Sequence, residues 1–131
     1  MIRSILAAAG ALALAVSLAA CSTPSGSSTD PGANAGASVV VTAETVIVDV
    51  RTPDEYADGH LEGAELLDLT GGDFAAALPS LDPNAEYVVY CRSGNRSGQA
   101  VAMMEDAGFT NVTNLGSLSE AADATGITVV K

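Results

Sequence analysis

The apolar run Tyr87-Val88-Val89-Tyr90 feeds directly into Cys91-Arg92-Ser93-Gly94-Asn95-Arg96, and Ser97 to Gly108 continues at helical spacing. A strand, a tight polar turn and a helix in immediate succession leave the chain few ways to fold. The same alternation recurs on both sides. Val46 to Val50, Ala64 to Leu69, Glu86 to Tyr90 and Val112 to Leu115 read as strands. Thr52-Pro53 through Asp58-Gly59, Asp73 to Leu78, Ser97 to Gly108 and Ser117 to Thr125 read as helices. Val39 to Val41 and Ile127 to Val130 add two extended segments. Such alternation implies right-handed crossovers and a mainly parallel sheet, covered on both faces.

Functional loops of such sheets lie beyond the carboxyl ends of the strands. The Cys91 turn is there, and so is Asp49-Val50-Arg51. A turn rich in backbone amides at a helix N-terminus suits an anion. The anion expected here is the Cys91 sulfur itself. Thr52, Pro53 and Glu55 form a capping-box pattern at the first helix.

The first forty residues carry a different message. Met1 to Ser4 bears one cation, Ile5 to Ala20 is unbroken and apolar, and Leu18-Ala19-Ala20-Cys21 puts small residues before a cysteine. This resembles the lipobox of bacterial lipoproteins, with residues 1–20 as signal peptide and Cys21 as the lipidation site. The competing readings are an uncleaved anchor, which usually takes about 20 apolar residues, and an ordinary secretory signal. The Ser/Gly/Pro stretch from Ser22 to Ser38 lacks large apolar side chains and reads as a tether reaching on the order of 20–25 Å. Residues 39–131 then form one small domain. The expected location is extracytoplasmic, on a membrane through the lipid anchor.

Charge narrows the function further. Once Arg3 is set aside with the leader, four basic residues face sixteen acidic ones. That balance argues against nucleic acid as a partner and against electrostatic docking on anionic lipid. Arg92 and Arg96 lie in the Cys91 turn, and Arg51 follows another strand. With Cys21 lipidated, Cys91 has no partner for an intrachain disulfide.

At this point the residues resemble the rhodanese family. Asp49-Val50-Arg51-Thr52-Pro53-Asp54-Glu55-Tyr56 is similar to its first signature, Gly59-His60-Leu61-Glu62-Gly63-Ala64 to its second turn, and Tyr87 to Ser97 to its strand and active-site loop. The motifs occur in family order and span nearly all of Val39 to Lys131. The resemblance implies a rhodanese-like α/β fold with a mainly parallel sheet of about five strands and helices on both faces. It also implies thiosulfate sulfurtransferase activity, with Cys91 as sulfur carrier, Arg92, Ser93, Gly94, Asn95 and Arg96 binding a small anionic donor, and a thiophile such as cyanide or a thiol as acceptor. Asp49 and Arg51 would brace the loop by ion pairing. Glu55 and Tyr56 read as cap and packing, and His60 as a hydrogen-bonded turn residue.

A helix N-terminus with nearby arginines lowers a thiol from about 8.5 into roughly 3.5–7.5, which fits that role. Cysteine phosphatases share a related loop, but their C-x5-R spacing would require arginine at position 97, which is Ser97. No metal-ligand spacing and no phosphate-binding glycine loop is present, so no cofactor or metal is assigned. The G-G-x-x-x-W of the family is replaced by Leu115-Gly116-Ser117-Leu118-Ser119-Glu120. Two other readings stand beside the enzyme: a sulfur carrier that passes sulfur to a protein acceptor, and a thiol redox or persulfide-sensing lipoprotein. The last lacks a resolving cysteine.

Overall fold

The computed structural model describes residues 38–131. The segment expected to be a signal peptide, Cys21 and all but the last residue of the expected tether lie outside the described residues. Four parallel strands form the central sheet: β1 (Val46–Asp49), β3 (Glu65–Leu66), β4 (Tyr87–Cys91) and β5 (Val112–Ser117), in the order β3-β1-β4-β5. The helices are α1 (Pro53–Asp58), α2 (Asp73–Ala77), α3 (Asn95–Asp106) and α4 (Leu118–Thr125). The α/β class with a parallel sheet is as the sequence implies.

Period-2 alternation sorts the strand residues into two cores. Val48, Val89 and Cys91 point to the layer that holds Phe74, Ala100, Met104 and Phe109. Ile47, Val88 and Tyr90 point to the opposite layer with Leu61, Leu115 and Ala121. All five residues of β4 are buried, as a strand covered on both faces requires.

The sheet has four strands rather than about five. Val39–Val41 forms no strand, because Val39 donates its N–H to the Ala124 carbonyl of α4 (2.9 Å), and Val39 and Val41 pack on the second core. Strand propensity yields here to the available partner. The last segment also leaves the central sheet: β6 (Val129–Val130) pairs antiparallel with β2 (His60–Leu61). This small clip ties the chain end to the turn after α1.

α3 begins at Asn95 instead of Ser97, which puts Asn95 and Arg96 inside its first turn. Gly94 makes this possible. Its φ of 88° is left-handed, where a side chain would be strained, and a Cβ there would sit 3.3 Å from the Gly116 Cα. Gly116 itself lies after a register shift between β4 and β5, where Val89 pairs with Asn114 but Tyr90 pairs with Gly116. The irregularity lets the two glycine backbones approach, seating the turn after β4 against β5.

Candidate active site

Cys91 ends β4 with its side chain wholly buried. The turn folds back so that the Gly94 N–H points at Sγ from 3.0 Å. Ser97, also fully buried, sits in the first turn of α3 with its hydroxyl 3.4 Å from Sγ and 3.1 Å from the Gly94 carbonyl. Its single proton is shared between them. Burial opposes the thiolate, but the Ser97 hydroxyl and the amides of Ser97, Ser93 and Gly94 outweigh it. The thiol therefore titrates below its ordinary value. The first turn of α3 has no side-chain cap, so the sulfur occupies the place where a capping oxygen would otherwise accept.

Asn114 holds the outer side of the turn. Its Nδ2 donates to the Gly94 carbonyl at 3.4 Å, and its Oδ1 accepts from the Gly116 N–H at 2.9 Å. The altered Leu115–Glu120 stretch therefore borders the loop through Gly116, and Ser117 then caps α4 in a capping box with Glu120.

Asp49 and Arg51 form a buried pair at the end of β1. Arg51 donates through Nε and NH2 to both Asp49 oxygens, the closest contact being 2.6 Å, and its NH2 also donates to the Gly59 carbonyl at 2.7 Å. The guanidinium lies over the Tyr90 ring, 5.5 Å from its centroid. Burial works against the charge of Arg51, but the Asp49 carboxylate beside it more than compensates. The Tyr90 hydroxyl lies 3.0 Å from the Leu61 N–H that donates to it, and burial pushes its titration well above the ordinary range. These contacts link β1 and β4 to the turn around Gly59 and do not reach the sulfur directly.

The remaining cations of the turn diverge. Arg92 is exposed and, among the described residues, makes no salt bridge. Ser93 and Asn95 are also exposed, Asn95 accepting from Gln99 at 3.0 Å. Arg96 instead reaches 41 residues back along the chain to Glu55, donating through NH1 and NH2 to the two carboxylate oxygens, each at 2.8 Å. Glu55 also closes the capping box of α1 by accepting from the Thr52 N–H and hydroxyl. The Arg96 guanidinium, ahead of the burial that opposes it, holds the Glu55 carboxyl down at about 2.

Asp68, just past β3, completes this side. Burial opposes its charge, but the Gly71 amide and the Thr70 hydroxyl and amide hold its carboxyl below the usual range. His60 bonds the Tyr56 carbonyl through Nδ1 at 2.9 Å and stacks on the Tyr56 ring at 3.6 Å. It sits in the turn and clip, paired with Val130 along the backbone and with its ring on Tyr56 of α1.

Two residues of the site were not singled out by sequence reasoning. The sequence pattern starts the helix at Ser97, where its hydroxyl has no fixed direction; as the third residue of α3 it faces back to Sγ. The local pattern marks Glu55 as a cap, whereas its ion pair with Arg96 joins segments far apart in sequence. The amide-rich turn at a helix N-terminus was the signal that located the rest.

The Rhodanese-like domain family matches residues 37–123. The chain is 36% identical over 75 residues to the thiosulfate sulfurtransferase PspE of Escherichia coli, spanning 57% of this chain and 72% of that protein. It is 39% identical over 70 residues to the thiosulfate sulfurtransferase GlpE of Pseudomonas entomophila, spanning 53% of this chain and 62% of that relative. Among solved structures, a rhodanese with anions from E. coli superposes with a TM-score of 0.54 at 34% identity, covering 66% of this chain and 98% of that one. The family match covers more than half of the chain and takes in the Asp49-Val50-Arg51 turn, the Cys91 loop and the first turn of α3. The protein belongs to the rhodanese-like domain family.

Proposed function

We propose that the chain is a sulfurtransferase that carries a sulfane sulfur on Cys91, taking it from thiosulfate or a similar donor. The observation that carries this reading is the seat of Sγ, with the Gly94 N–H at 3.0 Å and the Ser97 hydroxyl at 3.4 Å in a turn opening a helix. Those groups favour the thiolate, which is the nucleophilic form of cysteine. The thiolate attacks the outer sulfur of thiosulfate; the new Sγ–S bond forms as the S–S bond of the donor breaks. Sulfite leaves with the bonding pair, and a persulfide anion remains. Cyanide or a thiolate then attacks the terminal sulfur, and Cys91 departs as thiolate. No net electron transfer is needed, and the two half-reactions give ping-pong kinetics.

Two relatives named thiosulfate sulfurtransferase support thiosulfate as donor. Exposed Arg92 is the side chain proposed to draw in the anion. Ser93, Gly94 and Asn95 supply the turn around the terminal sulfur. Cys21 is proposed as the lipid anchor that holds the domain outside the cytoplasm, on the resemblance of its flanking residues to a lipobox.

Intact-mass spectrometry after exposure to thiosulfate tests the chemistry. The expected result is a gain of one sulfur atom, mapped to Cys91 and absent in Cys91→Ser. An unmodified protein, or an adduct that persists in Cys91→Ser, overturns it.

A further inference from the structure

The geometry points to Glu55 as a positioning residue for the Cys91 turn, acting through Arg96, and so to Arg96 as an anchor of the turn. Both guanidinium NH2 groups of Arg96 are spent on Glu55, at 2.8 Å each. Glu55 cannot easily let go, because its Oε2 is also the acceptor that completes the N-cap of α1, from the Thr52 N–H at 3.1 Å and the Thr52 hydroxyl at 3.0 Å. One carboxylate thus ties α1 to the first turn of α3.

What it holds there matters. Arg96 directly precedes Ser97, whose hydroxyl points at Sγ, and lies two residues after Gly94, whose amide does the same. Gly94 is left-handed and Ser93 and Asn95 are exposed. Within the turn itself the bonds converge on the Gly94 carbonyl, from the Ser97 hydroxyl at 3.1 Å and the Gly98 N–H at 3.0 Å, and the Arg96–Glu55 pair adds the tie to α1. The facing charged groups are Glu55 on α1, Asp68 past β3 and Cys91 itself, all of which interact with Arg96. A bidentate pair fixes orientation as well as distance. The turn is therefore set from outside on two sides, by Asn114 and Gly116 of β5 at Gly94 and by Glu55 of α1 at Arg96.

Positioning and simple electrostatics predict opposite signs. Removing the Glu55 charge should, by Coulomb's law alone, ease ionisation of Cys91 and lower its titration. Losing the anchor misaligns the amides and raises it.

The test measures the pH dependence of Cys91 alkylation by iodoacetamide, with thiosulfate KM and kcat recorded alongside. The expected result is that Glu55→Ala raises the alkylation midpoint by roughly one pH unit and lowers kcat more than it changes KM. Glu55→Gln, which keeps the shape and part of the hydrogen bonding, shifts the midpoint less. Arg96→Ala raises the midpoint at least as far as Glu55→Ala, since it also removes the cation near Cys91, and the double variant adds nothing beyond Arg96→Ala.

A midpoint that falls, with a lower KM for thiosulfate, would show Arg96 to be a donor ligand that Glu55 masks, and would overturn the proposal. So would a lower melting temperature with an unmoved midpoint in both Glu55 variants, the mark of a cap alone. This inference rests on Cys91 being the reacting thiol. Alkylation involves no sulfur donor, so the midpoint decides it even if wild-type protein takes no sulfur from thiosulfate.

Discussion

The turns after β1 and β4 lie side by side at the carboxyl edge of the sheet, and each buries a polar group that water would otherwise solvate. They handle it in opposite ways. The turn after β1 pairs two full charges, Asp49 and Arg51, and uses a second donor of Arg51 on the Gly59 carbonyl. Each partner finds its counter-charge inside the fold. The turn after β4 buries a single ionisable sulfur and surrounds it mainly with dipoles, the amides of Ser93, Gly94 and Ser97 and one shared hydroxyl, while the nearby Arg96 charge is already paired with Glu55. Dipoles stabilise a negative charge without neutralising it. The sulfur is thus held with its thiolate form favoured but not neutralised.

That difference predicts where substitutions register. Asp49→Ala leaves a buried guanidinium unpaired and should cost about 3–5 kcal/mol of folding stability. Urea unfolding checks it; its main effect is on unfolding, and an unchanged midpoint would mean Arg51 finds solvent. Gly94→Ala forces an alanine into the left-handed region, at a cost of about 1–2 kcal/mol, and presses a methyl toward Gly116. Its larger signature should be a slower, upshifted alkylation of Cys91, because the amide that faces Sγ moves. Ser97→Ala should raise the thiol titration by about one unit, equivalent to about 1.4 kcal/mol, with little change in melting temperature. A large stability loss in Ser97→Ala together with an unmoved titration would reverse the comparison, making the second turn the structural one.

The smallest effect is a linkage between the thiol and folding. A thiol titrating lower in the folded chain than in the unfolded chain contributes stability that is complete above the unfolded value, about 8.5. That contribution is lost as pH falls through the folded value. The stability difference between wild type and Cys91→Ser should therefore grow with pH up to that range and then level off. Glu55 behaves alike at acid pH: its contribution, in place above 4.5, fades as pH falls toward about 2.

Much of this arrangement was legible in the sequence. β-branched runs at Val46 and Tyr87 are local patterns, and so are the Thr52/Glu55 cap and the Cys91 turn; local patterns survive folding. The i, i+2 spacing of Asp49 and Arg51 at a strand end likewise lets both side chains turn the same way. Less legible was whatever depended on a partner elsewhere. Val39 to Val41 has strand-like composition yet binds α4, and Val129-Val130 leaves the parallel sheet for His60-Leu61. Arg96 has a strand-loop neighbourhood that suggests a free cation, and only the fold brings Glu55 to it. Ser97 depended on a two-residue shift of the helix start, because direction on a helix changes with every residue.

A single-turnover measurement of sulfite tests the Cys91 persulfide most directly. Protein mixed with excess thiosulfate in the absence of any acceptor should release one equivalent of sulfite per Cys91 and then stop, with thiocyanate appearing only when cyanide is added. Sulfite release that needs cyanide from the start, or that continues in Cys91→Ser, would contradict a persulfide held on Cys91.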